Sequence, residues 1–111
     1  MHKAKRGEIW LIDLGLVQKT RPCLIFSIEY LDHERAVFSY IPRTLHPRNT
    51  RFEVPHQARG FEPGVFDAQG IGGVPATKLV RRVGIVEPVI LEKIEAAVRL
   101  GSDFPEREFS K

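Results

Sequence analysis

TRPCLIFS, at residues 20–27, places a charged arginine and a proline directly before a run of apolar residues. A short, continuously apolar run is typical of a strand that is covered on both faces of its sheet. Proline can open such a strand, and its ring biases the preceding residue toward extended backbone geometry. We therefore predict a strand over residues 22–27. Arg21 directly precedes it, and the extended geometry before Pro22 fixes where the arginine side chain leaves the sheet.

Short strands are also predicted on both sides of this segment. Runs rich in β-branched and aromatic residues, such as RGEIWLID, favour extended structure. The predicted strands cover residues 6–13, 35–42 and 51–54, and the segments 65–71 and 74–86 are expected to supply one to three more. A short connection is expected at 14–20, a polar loop at 43–50, and irregular structure at 55–64.

The final apolar segment has a different period. Between residues 87 and 100, apolar side chains recur at helical spacing, and charged side chains occupy the other face. Pro88 suits the first turn of this helix and Gly101 suits its end. Short strands and one late amphipathic helix together predict a mainly β fold, a small bent barrel with a helix packed on it.

Length and composition predict one domain. The chain has 111 residues, 42% of them hydrophobic, which suits a single core. We predict a barrel domain over residues 1–101 and a polar tail over 102–111. The sequence has no apolar run long enough for a membrane span and no apolar signal region, and its single cysteine, Cys23, fits a reducing compartment. These features predict a cytoplasmic protein without a membrane partner.

Charge is unevenly distributed. The net charge is +3, and Arg43, His46, Arg48 and Arg51 fall between residues 41 and 52 without an intervening acid. Such a segment suits a polyanionic partner, although a solvated basic loop explains the charge equally well.

Several chemistries find no support in the sequence. Asp32, His33 and Glu34 are adjacent, so their side chains point in different directions and rarely hold one metal ion together. Cys23 lies inside an apolar run, where cysteine behaves as a small hydrophobe. Neither a G-x-S-x-G nucleophile turn nor a glycine-rich phosphate loop occurs. We therefore predict no metal and no cofactor.

The remaining groups suit a phosphodiester. Arg21 offers a planar fork of donors that matches phosphate oxygens, and Thr44 offers a hydroxyl just after a predicted strand end. Cleavage of RNA by its own 2′-hydroxyl requires a base, stabilisation of the phosphorane charge, and an acid for the leaving 5′-oxygen. Arg21 and Thr44 can supply the second, and His46 is a candidate for proton transfer. A salt bridge from Arg21 to an acid, and an uninvolved loop histidine, stay open as alternatives.

These residues also resemble a known family. RGEIWLIDLG followed by TRPCLIFS is similar to the opening of the MazF/PemK/Kid toxins of bacterial toxin–antitoxin systems. Their strand ending in Pro-x-Thr corresponds to Pro42-Arg43-Thr44, and a Phe-Glu-Val run follows at residues 52–54. An acid–Gln pair is partly matched by Asp67-Ala68-Gln69.

The resemblance implies a homodimer of SH3-like (CcdB/PemK-like) barrels that cuts single-stranded RNA without metal, leaving a 2′,3′-cyclic phosphate and a 5′-hydroxyl. It places the catalytic roles on Arg21 and Thr44. It further implies a cognate antitoxin that blocks the same groove, with DNA contacted only through that antitoxin. The RNA-binding residues predicted on this basis are Lys19, Thr20, Arg43, His46, Arg48, Arg51 and Gln69.

Two departures from the family pattern affect RNA recognition. The connection at residues 14–20 is shorter than usual in the family, and a glycine-rich segment at 70–73 takes the place of a regular strand. Two other functions stay open on the same fold: a toxin that poisons gyrase, as the related CcdB barrel does, and an RNA-binding barrel without catalysis.

Overall fold

The computed structural model describes residues 4–17 and 19–102. Strands are formed where the sequence is apolar and β-branched, and they are separated by turns rich in glycine and proline. The seven strands are β1 (Glu8–Asp13), β2 (Thr20–Ile25), β3 (Val37–Thr44), β4 (Glu53–His56), β5 (Gly64–Asp67), β6 (Gly72–Pro75) and β7 (Leu79–Ile85). Single 3-10 turns at Ala68–Gly70 and Ala76–Lys78 flank β6, and the helix α1 (Pro88–Ser102) follows β7. None of the helices in the described residues is both long and apolar enough to cross a bilayer.

Strand β3 is the centre of the sheet. The strands pair in the order β4-β5-β3-β2-β1-β7, and all the pairings are antiparallel. One edge of β3 pairs with β2, while the other edge is shared: β6 pairs with its first half and β5 with its last two residues. Within the described residues no ladder joins β4 to β7, so hydrogen bonds do not close the sheet into a complete ring. The C-terminal end of β3 therefore lies next to both β2 and β5.

The apolar run of β2 is covered on both faces, as predicted. Leu24 packs into a cluster with Ile41, Phe66 and the helix residue Ile94, which lies between the sheet and α1. Its neighbours Cys23 and Ile25 point the other way, into a second cluster (Ala4, Trp10, Ile12, Phe38, Val74 and Leu79). Successive side chains of a strand alternate between faces, so a strand with a core on each side is apolar at every position.

The helix is held against the sheet by its apolar face and by one ion pair. Ile94 and Ala97 are its buried residues. At the margin, Arg6 forms a salt bridge with Glu95 and also donates to the carbonyl of Phe26, whose ring lies 4.4 Å below its guanidinium carbon. The predicted class, mainly β with a C-terminal amphipathic helix, is confirmed.

Several predicted boundaries were wrong. Strand β2 begins at Thr20, so Pro22 lies inside it. Strand β3 continues past Pro42 to Thr44, because β5 pairs with its last two residues. Part of the glycine-rich segment forms β6, which the pairing of Gly72 and Gly73 with β3 supports. The helix includes Gly101, which was predicted to end it, and Ser102. Residues 103–111 of the predicted tail lie outside the described part of the chain.

Candidate functional site

A polar cavity of about 380 Å³ lies at the C-terminal end of β3. It is open to solvent and contains both of the predicted catalytic residues, which come from different strands. The lining residues are Arg21, Tyr40, Pro42, Thr44, His46, Arg48, Glu53, Asp67 and Gly70. Residues from β2, β3, β4, β5 and the loop after β3 therefore converge here, although they are far apart in sequence.

Strand register explains why Arg21 and Thr44 meet. Strand β2 pairs with β3 so that Cys23 lies opposite Pro42 and Leu24 opposite Ile41. Carrying this antiparallel register two residues further sets Arg21 across from Thr44. Residues directly opposite each other in a sheet project to the same face. A guanidinium and a hydroxyl are thus brought to one site by backbone pairing.

The Arg21 guanidinium is half-buried and held by the main chain. Its Nη2 donates to the carbonyl oxygen of Arg43 at 3.1 Å. A guanidinium carries five N–H donors, and this bond uses one of them. The salt bridges within the described residues do not include Arg21, so the predicted alternative of an ion pair with a chain carboxylate is not what the structure contains. The remaining fork can be used for an anion.

The Thr44 hydroxyl is oriented by the loop that follows it. The backbone N–H of His46 donates to Thr44 Oγ1 at 3.1 Å. This bond uses an acceptor lone pair, which leaves the hydroxyl proton as a donor. The same turn places His46 in the lining of the cavity together with Arg21 and Thr44.

Glu53 shapes the loop that carries His46 and Arg48. Its carboxylate accepts hydrogen bonds from the backbone N–H groups of Arg48 (2.9 Å) and Thr50 (3.0 Å), while Asn49 between them has a left-handed φ of 60°. These backbone N–H groups lower the pKa of Glu53. Glu53, an acid in a cavity with several basic residues, is therefore hydrogen-bonded to the loop, and the same loop places Arg48 in the cavity lining.

Tyr40, Asp67 and Gly70 line the cavity but were not predicted. The signal for Tyr40 was present, because Tyr40, Pro42 and Thr44 are spaced by two and therefore share one face of β3. Burial raises the pKa of Tyr40. Asp67 accepts from the N–H of Gln69 at 3.0 Å, which sets the 3-10 turn after β5. Gly70 packs so closely on Pro42 that an added Cβ would lie 2.7 Å from its Cγ.

Arg43, which was predicted to contact RNA, does not line the cavity. Arg43 lies on the opposite face of β3 from Thr44, and its side chain is only 5% exposed. Its guanidinium donates to His56 and to the carbonyl of Glu62. Basic character alone could not reveal this burial, since the acceptors come from a distant strand and loop.

Four other predicted RNA-binding residues lie outside the cavity lining. Lys19 and Thr20 line a separate hollow of about 470 Å³ with Asp13 and Lys78. Arg51 lies over the ring of Phe52, 5.0 Å from its centroid, near α1. Gln69 is exposed on the 3-10 turn next to Asp67. The structure therefore brings together only His46 and Arg48 from this set.

Cys23 is completely buried, and burial raises the pKa of its thiol to about 12. Among residues 4–17 and 19–102, histidine, cysteine and acidic side chains form no group of three or more that could hold a metal ion.

Fold and site together define a small antiparallel β protein with an arginine, a threonine and a histidine in one solvent-open cavity at the end of its central strand. Residues 5–101 match the model of the PemK-like, MazF-like toxins of type II toxin–antitoxin systems, and the chain belongs to this family. The resemblance found in the sequence is thereby confirmed.

Solved structures support the same architecture. An endoribonuclease in complex with its cognate antitoxin, from a mycobacterial species, superimposes with a TM-score of 0.79 at 24% identity, covering 92% of this chain and 97% of that one. The Mycobacterium tuberculosis toxin MazF-mt6 gives 0.76 at 23% identity, covering 86% and 96%. MazF from Deinococcus radiodurans gives 0.79 at 15% identity, covering 94% and 100%. At these identities the likeness demonstrates the fold.

Proposed function

We propose that this toxin is a metal-independent endoribonuclease that cleaves single-stranded RNA through the 2′-hydroxyl of its substrate. The observation that carries the proposal is the convergence of Arg21 and Thr44, from two paired strands, on one solvent-open cavity. Both groups have donors available for a phosphate oxygen. Family membership and the likeness to mycobacterial endoribonucleases agree with this activity.

The chemistry is an intramolecular transesterification. The 2′-oxygen attacks phosphorus, the P–O5′ bond breaks, and the products are a 2′,3′-cyclic phosphate and a 5′-hydroxyl end. The 2′-hydroxyl loses a proton and the departing 5′-oxygen gains one, so the step is balanced. Negative charge builds on the phosphoryl oxygens as the bonds exchange. Arg21 and the Thr44 hydroxyl would stabilise that charge, and the loss of one such donor typically costs about 100- to 1000-fold in rate.

We assign proton transfer to His46. An arginine is a poor base, because a guanidinium rarely gives up its proton in a protein. The cavity carboxylates of Glu53 and Asp67 each accept backbone hydrogen bonds instead. An imidazole can both accept and donate a proton, and His46 lines the same cavity as Arg21 and Thr44.

Substrate binding would use charge around the cavity. Arg48 lies at its rim and is placed to contact the RNA backbone. Lys19 and Thr20 in the neighbouring hollow, Arg51 and Gln69 are candidate contacts for a longer RNA. A single strand suits the reaction because a duplex restricts the in-line geometry that the 2′-oxygen needs. Binding through cations should weaken as salt concentration rises.

The partners follow from the family. We propose that a cognate antitoxin covers this cavity and that the toxin acts as a homodimer in the cytoplasm, with DNA contacted only through the antitoxin. One structural neighbour is an endoribonuclease in complex with its cognate antitoxin, and another is a MazE–MazF complex. The reaction is proposed to need no cofactor.

The decisive experiment incubates the purified protein with single-stranded RNA in excess EDTA. Specific cuts with cyclic-phosphate ends are expected from the wild type. Arg21→Ala and Thr44→Ala should each lose about 100-fold or more in rate. Arg81→Ala is the matched control, because it removes one exposed positive charge from β7, outside the cavity, and should retain activity.

Other outcomes would favour the alternatives. Growth arrest by Arg21→Ala without RNA cleavage would indicate a toxin that acts on a protein target such as gyrase. RNA binding without cleavage or toxicity would indicate an inert RNA-binding protein. Cutting that requires a divalent ion would overturn the metal-independent mechanism.

A further inference from the structure

A buried hydrogen-bonded pair, the cation of Arg43 and the neutral imidazole of His56, lies behind the cavity on the other face of β3. Both residues are 5% exposed. Arg43 Nε donates to His56 Nδ1 at 2.9 Å, and Nη2 donates to the His56 carbonyl at 3.0 Å and to the Glu62 carbonyl. The guanidinium carbon lies 5.1 Å from the centroid of the Phe61 ring. We refer to these contacts as the Arg43–His56 staple.

The atoms that accept hydrogen bonds from Arg43 in this staple are neutral, which is unusual for a buried cation. The ion pairs within the described residues do not include Arg43. Burying a charge is costly unless it is compensated, and burial accordingly lowers the pKa of Arg43. Three hydrogen bonds, an aromatic ring and the charge of the Glu62 carboxylate, which acts to raise the pKa of Arg43, provide the compensation here. Because an N–H donates to Nδ1, His56 must be neutral with its own proton on Nε2.

The staple is connected to the site through the main chain of Arg43. The carbonyl oxygen of Arg43 accepts the hydrogen bond that holds the Arg21 guanidinium, at 3.1 Å. The next residue is Thr44, and both residues pair with β5 at the end of the sheet. One residue thus ties the last residue of β4 and the following connection to the carbonyl that orients Arg21.

We propose that Arg43 and His56 are positioning residues for the reaction: the staple fixes the strand end that carries Thr44 and the carbonyl that aims Arg21. This inference rests on the proposed ribonuclease function. Arg43 would thus act on the site through its main-chain carbonyl, without contacting RNA. The rotamer of Arg21 and the position of the Thr44 hydroxyl then depend on an acceptor at residue 56.

A pair of substitutions at residue 56 separates positioning from bulk packing. His56→Asn keeps an oxygen acceptor near the place of Nδ1 but leaves empty volume. His56→Phe fills the volume and keeps the ring contacts with Phe61 and Phe66, but it has no acceptor. If residue 56 only fills space, the smaller side chain in His56→Asn should reduce kcat more than His56→Phe does. If residue 56 positions Arg43 through its acceptor, His56→Phe should reduce kcat more.

The assay measures kcat and KM on single-stranded RNA, with thermal unfolding followed for each variant. His56→Phe should lose tenfold or more in kcat, and as much as about 100-fold for a displacement of about 1 Å, with KM within about twofold. His56→Asn should retain kcat within about threefold. Equal kcat in all three proteins, or a larger kcat loss in His56→Asn, would overturn the proposal.

A measurement on the wild type keeps the test decisive if His56→Phe does not fold. In ¹⁵N-labelled protein, a scalar coupling between Arg43 Nε and His56 Nδ1 reports the N–H···N hydrogen bond directly. Its presence supports the staple and its absence overturns it. If the wild type cuts no RNA but the coupling is present, the proposed function fails while the staple geometry stands, so the two failures are distinguishable.

Discussion

Gly64→Ala should damage both stability and activity, because Gly64 packs against the strand end that forms the site. Gly64 is the first residue of β5 and pairs with His56. A Cβ at this position would lie 2.7 Å from the carbonyl oxygen of Thr44 and 2.9 Å from Arg43 Nη1. Ordinary van der Waals contacts begin at 3.4 Å, so the strand end must move by several tenths of an ångström.

The magnitude follows from that displacement. Forcing an extra methyl group into a packed site typically costs about 1–3 kcal/mol of unfolding free energy. For a domain near 100 residues, each kcal/mol lowers Tm by about 4–8 °C. A displacement approaching 1 Å at reacting groups can cost on the order of 100-fold in rate. We therefore expect a lower Tm and a kcat reduced by tenfold or more, measured on folded protein.

Gly73→Ala provides the matched control. A Cβ at residue 73 would meet Val37 Cγ1 at 3.7 Å and the Phe38 carbonyl at 3.8 Å, which are ordinary contacts. The same substitution should there leave kcat unchanged and alter stability by less than about 1 kcal/mol, in the stabilising direction. Thermal unfolding and single-turnover RNA cleavage measure both quantities. If Gly64→Ala matches the wild type, or if both alanine variants are equally impaired, the close contact of Gly64 with the strand end does not control the site.

Three further predictions concern the core, the loop and the thiol. Ile94→Ala, in the fully buried contact between α1 and the sheet, should lower unfolding free energy by about 2–5 kcal/mol in urea titrations; a smaller loss would mean that the helix is weakly docked. Because the pKa of Glu53 is lowered in the fold, its hold on the loop is present above its ordinary value of 4.5 and is lost as pH falls through the lowered value. Amide hydrogen exchange at Arg48 and Thr50 should therefore become faster on acidification, after correction for the intrinsic effect of pH. It should also become faster in Glu53→Gln at neutral pH. Unchanged protection in that variant would contradict the role of Glu53. Cys23 should resist alkylation at pH 8 in the folded protein and react after denaturation, because burial raises its pKa to about 12; rapid labelling of the native protein would contradict its burial.

Local sequence patterns determined the elements of this protein. The uninterrupted apolar run of β2 implied a core on each face, and the helical spacing after Pro88 implied an amphipathic helix. These features depend on periodicity along a single segment, which the sequence displays directly. Tyr40, Pro42 and Thr44 share one face because β3 continues to Thr44, two residues beyond the end predicted from the sequence.

Tertiary structure decided which residues form the site. The sequence suggested Arg21 and Thr44 separately, but only the β2–β3 register sets them across from each other. The basic segment around Arg43 predicted a cation on the surface. In the structure Arg43 is buried and donates hydrogen bonds to His56 and to the Glu62 carbonyl. The local pattern cannot reveal such acceptors, because they come from strands and loops more than ten residues away. Short-range periodicity thus determined the strands and the helix. Long-range strand pairing determined that Arg21 lines the solvent-open cavity and that Arg43 is buried behind it.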